Sequence, residues 1–367
     1  MNKRNIVFRT DASIDIGSGH VMRCLTLANA LSDLGAKCQF ICRAHDGNLI
    51  KAISDKGYAV YSLPAVNEPA VDEILDGHDL AHASWLSTTQ EQDALDCVAI
   101  LDELQPKWLI VDHYALDARW ERALRVKGRK TMIIDDLADR MHECDLLLDQ
   151  TFGRKADDYR SLVPSNCQLL CGSDYALLRP EFSALRAISL KRRTQPQLHE
   201  LLVTMGGLDK ANATQRVLVA LRTCSLPVDF RITVVLGAEA PWVSAIRDLA
   251  LTMPWPTRVL VGVNDMAGLM AESDLAIGAA GSTSWERCCL GLPTILVVVA
   301  ENQRQVALEL GEAGAAKILT SPELICTELP HVMQDLLLSN HKLSAMSCAA
   351  AKVTDGHGVQ TVVSYLE

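Results

Sequence analysis

The chain has 367 residues, 49% of them hydrophobic and 22% charged, which is typical of a soluble globular protein and enough for two ordinary domains. Its formal net charge of −10 argues against a general nucleic-acid-binding protein, because a phosphate backbone requires a basic surface. A small anionic ligand is not excluded, since it needs only a local site.

The 12 cysteines do not have the spacing of a disulfide framework or a zinc site, because no Cys-x-x-Cys pair occurs. The first residues lead directly into a short apolar run rather than a stretch of signal-peptide length. Longer apolar runs such as 294–300 are too short to span a bilayer. We therefore expect reduced thiols in a cytoplasmic protein with no membrane partner.

Strand-like and helix-like segments alternate through the first half of the chain. Short apolar runs ending in Asp or a polar turn indicate buried parallel strands, and the periodic segments between them indicate helices. The predicted strands are 6–9, 38–42, 59–63, 108–112, 131–135, 146–149 and 168–171. The predicted helices are 21–34, 49–56, 91–104 and 118–127.

Residues 177–197 interrupt this alternation with two prolines and a basic cluster, as an interdomain linker would. A second alternating set follows, with strands predicted at 201–205, 232–236, 259–261, 275–278 and 294–299. Its helices are predicted at 213–223, 243–251, 266–271, 283–290 and 303–313.

This pattern predicts an α/β protein with two Rossmann-like domains facing a cleft. We expect the first domain to span 1–180 and the second 198–340. A helical segment at 341–367 follows, and we place it back against the first domain.

The most informative loop follows the first predicted strand, where Gly17, Gly19 and His20 precede a long helix. Ligands bind at the carboxyl ends of strands in such sheets, and glycines allow a close approach of the backbone. Histidine can move protons near neutral pH, so His20 is a candidate catalytic residue. The alternative is a histidine that merely hydrogen-bonds the backbone at a helix start.

Two glycine-containing loops in the second half are candidate phosphate sites. Gly206 and Gly207 follow the first strand of that half, although they also suit a simple tight turn. Gly281, Ser282 and Thr283 stand between a strand and a helix, and Glu286 lies one helical turn later. These residues could bind a diphosphate and a ribose, or Ser282 could simply cap the helix.

Further polar residues end other strands. Asn302 and Gln303 could orient sugar groups or form a polar first turn of a helix. His113 and Tyr114 could contact substrate or form a polar strand end at the surface. The pair Asp135 and Asp136 is a weak metal candidate because no third ligand follows at a fixed spacing. The histidines His78, His82 and His199 show no ligand spacing and are interpreted as ordinary polar residues.

These segments together resemble a known family. Residues 9–28, 111–114, 134–136, 175–182, 206–212, 281–286 and 302–303 are similar to the nucleotide-sugar hydrolases of pseudaminic acid biosynthesis, which act on UDP-2,4-diacetamido-2,4,6-trideoxy-β-L-altropyranose. The opening segment is the more specific part of this resemblance. The motifs of the second half are shared with glycosyltransferases of the two-Rossmann (GT-B) fold, such as the N-acetylglucosaminyltransferase that makes lipid II.

The resemblance implies an inverting hydrolase without metal or other cofactor, whose partners are a UDP-sugar and water. It implies that His20 is the general base, that Gly17, Gly19, Tyr114, Asn302 and Gln303 contact substrate, and that Glu286 binds the ribose. It further implies that Gly206, Gly207, Gly281, Ser282 and Thr283 bind the diphosphate, with uracil near 261–266. No nucleic-acid or membrane partner is implied, and a monomer is compatible with this activity.

Three alternatives remain open at this point. A glycosyltransferase of the same fold would carry the same second-half motifs, although the first half has no clear basic amphipathic helix for a membrane-bound acceptor. A related enzyme of spore-coat or other polysaccharide biosynthesis would share the first segment. A non-catalytic nucleotide-sugar-binding protein would not depend on His20.

Overall fold

A computed structural model describes residues 4–64 and 80–367; His78 lies outside the described residues. The contacts divide the chain into two compact units. The first contains the residues up to Leu177 together with Val359–Glu367, and the second contains Leu178–Gly358. Two Rossmann-like α/β domains are therefore confirmed, and the final helix belongs to the first of them.

The first unit is built on a seven-stranded parallel sheet in the order β3-β2-β1-β4-β5-β6-β7. Its strands are β1 (Asn5–Thr10), β2 (Lys37–Arg43), β3 (Ala59–Leu63), β4 (Trp108–Asp112), β5 (Lys130–Ile134), β6 (Leu146–Asp149) and β7 (Gln168–Cys171). Its helices are α1 (Gly19–Asp33), α2 (Ile50–Asp55), α3 (Gln90–Leu104), α4 (Ala118–Ala123) and the C-terminal α13 (Gly358–Leu366).

Both faces of this sheet are buried, because its strands are apolar on both sides. Ile6 and Phe8 of β1 point into one core, which also receives α1 and α13. Val7 points into the opposite core, which is built largely from α3 and α4. Burial on both faces is what the continuous apolar runs of parallel strands require.

The second unit has a six-stranded parallel sheet in the order β10-β9-β8-β11-β12-β13. Its strands are β8 (Glu200–Thr204), β9 (Arg231–Leu236), β10 (Thr257–Val261), β11 (Leu275–Ala279), β12 (Thr294–Val297) and β13 (Ala316–Leu319). Its helices are α5 (Pro180–Arg192), α6 (Ala213–Leu221), α7 (Val243–Ala250), α8 (Met266–Glu272), α9 (Thr283–Cys289), α10 (Arg304–Glu312), α11 (Ile325–Leu337) and α12 (Asn340–Ala350).

The twelve predicted strands are all present, but the structure adds elements that periodicity did not indicate. The stretch predicted as a linker contains helix α5, which begins with Pro180 in its first turn, where the missing N–H of proline has no cost. Strand β13 has four residues and pairs at the sheet edge with β12, so it is too short to show a pattern. Within the described residues, no helix combines the length and apolarity needed to cross a bilayer.

Candidate functional site

The two central strands of the first unit, β1 and β4, bring the first candidate site together. They pair in parallel, with Thr10 opposite Asp112 at their carboxyl ends. Since β2 and β3 lie on one side of this pair and β5 to β7 on the other, the strand order reverses here. Ligands bind at such a reversal in open α/β sheets.

His20 meets Asp112 at this position. His20 lies in the first turn of α1, and its Nδ1 is 2.5 Å from Asp112 Oδ1. The Asp112 side chain is fully buried, while His20 keeps a small exposed fraction. A carboxylate on Nδ1 holds the imidazole with that nitrogen protonated and leaves Nε2 as the nitrogen that can accept a proton.

Arg23 fixes the carboxylate on the other side. One helical turn after His20, its Nε and Nη2 donate to the two oxygens of Asp112 at 2.6 and 2.7 Å, and its Nη1 donates to Asp136 at 2.8 Å. Burial alone would raise the pKa of Asp112, but the charges of Arg23 and His20 outweigh it and hold that pKa well below its usual value. Asp112 therefore stays ionised at any working pH.

Tyr114 forms the wall beside the imidazole. Its ring meets the His20 ring edge-on, with centroids 4.5 Å apart, and its hydroxyl donates to Asp136. Burial and the neighbouring Asp136 raise the pKa of Tyr114 well above its ordinary value, so the phenol keeps its proton. Tyr114 thus lies at the site, with its hydroxyl already engaged by the protein.

The glycines at the start of α1 shape the loop. Gly17 has a φ of +80°, in the left-handed region that favours glycine, and its N–H donates to Ser13 O at 2.8 Å. A side chain at Gly17 would meet no atom within 4 Å, so the backbone conformation, not space, requires glycine there. Gly19 is the first residue of α1 and directly precedes His20.

His113 does not join this group, and its burial excludes the alternative of a polar strand end at the surface. Its side chain is buried, with Nε2 3.3 Å from Asp11 Oδ2 and Nδ1 accepting from Ala115 N at 3.1 Å. Asp11 in turn pairs with Arg9 Nη1 at 2.6 Å. Because strand residues alternate in direction, Asp112 reaches the site and His113 points into this buried ion network.

Asp135 and Asp136 have separate partners, which removes the basis for treating them as a metal pair. Asp135 accepts from the Tyr159 hydroxyl at 2.7 Å and lies 2.8 Å from Arg140, whereas Asp136 binds Arg23. In the described part of the chain, no group of three or more His, Cys, Asp and Glu side chains is arranged to hold a metal ion.

Tyr159 also lies 2.8 Å from Asp149, so two carboxyl groups converge on one phenol. A phenol has one proton to donate, and a second hydrogen bond requires a protonated carboxyl group. Burial and the nearby Asp136 raise the pKa of Asp149 to about 6, and Arg154 Nε donates to the same carboxyl oxygen at 2.7 Å. The second hydrogen bond of the phenol therefore forms only where Asp149 is protonated, below about pH 6.

Two aromatic residues at this site were not predicted. The ring of Trp85 stacks on Tyr114 at 5.5 Å, and His82 lies 4.3 Å from Trp85 between ring centroids. The spacing of His82 in the sequence predicts only an ordinary polar residue. The sequence also does not single out Asp112 or Arg23. For Arg23 a signal was available, because it follows His20 by three residues and the two therefore share one face of α1.

The second unit contains the other candidate site, centred on Glu286 in α9. Arg179 lies 3.7 Å from Glu286 and donates to Asn264 O at 3.2 Å. Arg179 therefore links the predicted ribose acid to the 261–266 loop predicted for uracil. Burial raises the pKa of Glu286, and the charge of Arg179 opposes this shift.

The loop before α9 is close to the polar turn after β12. Ser282 stands at the N-cap position of α9 but makes no side-chain capping hydrogen bond. The Nε2 atom of Gln303 would lie 3.9 Å from a Cβ atom placed on Gly281, so these two predicted residues are neighbours. Asn302 is exposed in the same turn, and Thr283 begins the helix.

Arg287 places a buried charge against this loop. Its Nη2 donates to Ala279 O at 2.7 Å and to Ser284 Oγ at 3.1 Å, which are the two ends of the loop. Among the residues that the structure describes, its Nε and Nη1 atoms have no hydrogen-bond partner. Burial lowers the pKa of Arg287 to about 10, so the group still carries its positive charge at neutral pH.

The Gly206–Gly207 loop is a tight turn before α6. Gly206 has a φ of +91°, and Gly207 O accepts from Gly237 N at 3.0 Å. The carboxylate of Asp209 then accepts from the N–H groups of Ala213 and Thr214 at 2.8 and 2.9 Å. The structure thus shows the tight turn that the sequence suggested, and the Asp209 carboxylate of this turn caps the start of α6.

With this geometry described, comparisons with known proteins identify similar chains. Residues 256–361 match the glycosyltransferase family 28 C-terminal domain. The UDP-2,4-diacetamido-2,4,6-trideoxy-beta-L-altropyranose hydrolase of Campylobacter jejuni is 26% identical over 310 residues, covering 84% of this chain and 97% of that protein. The spore coat polysaccharide biosynthesis protein SpsG of Bacillus subtilis is 29% identical over 57% of this chain and 60% of its own length.

Among solved structures, MurG of Acinetobacter baumannii superposes with a TM-score of 0.69 over 99% of each chain at 18% identity, which supports the fold alone. The resemblance inferred from the motifs is thus confirmed: the chain has the two-Rossmann GT-B fold and is similar, over most of its length, to a nucleotide-sugar hydrolase.

Proposed function

We propose that the protein hydrolyses UDP-2,4-diacetamido-2,4,6-trideoxy-β-L-altropyranose, releasing UDP and the free sugar with inversion at the anomeric carbon. The single observation that carries this proposal is the His20–Asp112 pair at the carboxyl ends of β1 and β4. It is a base held in one orientation, as activation of a water molecule requires.

In this reaction a water oxygen forms a bond to the anomeric carbon while the bond from that carbon to the β-phosphate oxygen breaks. The electron pair of the broken bond leaves with UDP, and one proton of the water passes to His20 Nε2. Asp112, kept ionised by Arg23, stabilises the imidazolium that forms.

We assign UDP to the second unit. Glu286 would accept hydrogen bonds from ribose hydroxyls, and Gly206, Gly207, Gly281, Ser282 and Thr283 would lie along the diphosphate. The buried charge of Arg287 against the 280–283 loop supports an anionic ligand there. UDP is a good leaving group, so its developing charge needs stabilisation more than it needs a strong acid.

The remaining substrate contacts are assigned to Gly17, Gly19 and Tyr114 near the base and to Asn302 and Gln303 in the second unit. The proposed scheme uses no metal: His20 would activate the water, and backbone N–H groups together with Arg287 would stabilise the diphosphate.

The experiment is hydrolysis in ¹⁸O-labelled water, followed by proton and phosphorus NMR, with and without a chelator. We expect UDP release that the chelator does not change, with the label on the sugar and the inverted anomer appearing first. Label in the β-phosphate would overturn attack at carbon. UDP binding without turnover would instead favour a transferase awaiting an acceptor, an activity consistent with the family 28 match.

A further inference from the structure

Four aromatic rings form a cluster beside the proposed base. The Trp85 ring lies nearly parallel to Tyr114, with an interplanar angle of 25°, and its centroid is 6.2 Å from that of His20. His82 contacts both Trp85 and Tyr114, at 4.3 and 5.3 Å between centroids. Trp85 and His82 are partly exposed, so this cluster presents surface to solvent next to His20.

Some polar atoms of this cluster are hydrogen-bonded to the protein and others are not. Tyr114 donates its hydroxyl proton to Asp136, and His20 Nδ1 is held by Asp112. Across 4–64 and 80–367, by contrast, no hydrogen bond forms at Trp85 Nε1 or at the ring nitrogens of His82. None of these nitrogens is among the buried unpartnered polar atoms of the described residues, so each reaches the surface and is accessible to a ligand.

The backbone turn that carries Trp85 is anchored to the core of the first unit. Trp85 and its neighbours form a 3₁₀ turn, Ala83–Leu86, in which Trp85 N donates to His82 O at 3.0 Å. Leu86 is 1% exposed and anchors the turn in the core that contains α3. The turn therefore fixes the backbone that carries Trp85, which limits the entropy lost when its side chain contacts a ligand.

We propose that Trp85 and His82 form a subsite for an acetamido group of the sugar. The acetamido carbonyl accepts a hydrogen bond from Trp85 Nε1, and the acetamido methyl packs on the aromatic surface. The amide N–H donates to a ring nitrogen of His82. This inference rests on the proposed function, because it names how that substrate is recognised beside the base.

The chemistry of the His82 ring, the Trp85 indole and the acetamido group agrees with this assignment. Burial lowers the pKa of His82, so its ring is neutral near pH 7 and has a nitrogen that can accept. An indole combines an apolar face with one donor, which matches the methyl and carbonyl of an N-acetyl group. A hydroxyl in place of the acetamido group would leave the apolar surface unfilled and supply no methyl.

The test compares Trp85→Phe and Trp85→Ala with wild type in hydrolysis of the diacetamido UDP-sugar. Trp85→Phe should raise KM roughly threefold to tenfold, the effect of one neutral hydrogen bond, with little change in kcat. Trp85→Ala should raise KM by about 10- to 30-fold because the aromatic surface is lost as well. Neither variant should change the Kd for UDP, since UDP is assigned to the other unit.

A matched control is the substitution Trp255→Phe. Trp255 is a partly buried tryptophan of the second unit, and its ring packs edge-on against Phe230 with the ring centroids 6.4 Å apart. A UDP-6-deoxyhexose without acetamido groups provides the substrate control, and the Trp85 variants should process or bind it like wild type. An unchanged KM in Trp85→Phe, or an equal loss with both sugars, would overturn the subsite.

Binding of the free diacetamido sugar in saturating UDP separates the two proposals. Calorimetry should show weaker sugar binding to Trp85→Phe than to wild type, whether or not the enzyme turns over. Normal sugar binding by wild type without hydrolysis would refute the proposed function and leave the subsite standing. Equal sugar binding by wild type and Trp85→Phe would refute the subsite.

Discussion

Asp112→Asn is the substitution that most directly tests the proposed base. The carboxylate accepts three close hydrogen bonds, from Arg23 Nε at 2.6 Å, Arg23 Nη2 at 2.7 Å and His20 Nδ1 at 2.5 Å. An amide has the same shape but one oxygen and one NH₂ group. If the NH₂ replaces Oδ1, it faces His20 and forces the other imidazole tautomer, in which Nε2 carries the proton and cannot act as a base. If the NH₂ group replaces Oδ2, it faces the Arg23 Nε–H group, and two hydrogen-bond donors then point at each other.

Either orientation removes the negative charge that stabilises the imidazolium, so kcat should fall by about 10²- to 10⁴-fold, the range of general-base assistance. Arg23 keeps Asp136 at 2.8 Å, so the loss of stability should be limited to about 1–3 kcal/mol, the cost of an unsatisfied buried group. UDP release measures kcat, calorimetry the Kd for UDP, and thermal unfolding the stability.

The control is Asp136→Asn, which also weakens a contact of Arg23 but does not touch the imidazole. It should lose comparable stability and much less activity. A folded Asp112→Asn enzyme with kcat within about twofold of wild type would refute the role of this pair, because 10²-fold is the smallest effect expected of a general base.

Three other outcomes are expected. His20→Asn should lower kcat by about 10²- to 10⁴-fold and leave UDP affinity unchanged by calorimetry; unaltered turnover would remove His20 from the mechanism. Glu286→Ala should raise the Kd for UDP by roughly tenfold or more through loss of charge-assisted ribose contacts, and an unchanged Kd would contradict the ribose assignment. The third concerns Asp149, whose pKa of about 6 in the folded protein exceeds the ordinary 3.8. Its folded form keeps a proton that the unfolded chain loses first, so its stabilising contribution is full below about pH 4 and lost as the pH rises through 6. The difference of about 2 pKa units is worth roughly 3 kcal/mol, and Asp149→Asn should flatten that part of a stability–pH profile measured by denaturant unfolding; parallel profiles would count against it.

The strands and the residues at their ends could be predicted because each depends on local pattern. The apolar runs identified every strand that carries a candidate site residue, and the Gly17 to His20 loop stood out by composition. The partners of His20 could not be predicted in the same way. That Asp112 lies beside it depends on β4 pairing with β1 rather than with β3, and strand order is not encoded in periodicity.

The direction of the side chains at a strand end is the second feature that the sequence could not predict. Asp112, His113 and Tyr114 are consecutive, yet the first and third lie at the site and the second points into a buried ion network. A shift of one residue in the strand would exchange them. Trp85 could not be predicted for another reason. Its turn contains no glycine that would mark a functional loop, and it contacts the site only through the packing of its ring on Tyr114.

Helix α13 has a consequence for dividing the chain into separate domains. Val359, Val362, Val363 and Leu366 complete the same core as β1 and α1, although the whole second unit, Leu178–Gly358, stands between them and the rest of the first unit. The first unit is therefore not a contiguous piece of chain. A fragment cut at Leu177 would lack these four apolar side chains and expose the part of the core that they cover, whereas Leu178–Gly358 would retain every segment of the second unit.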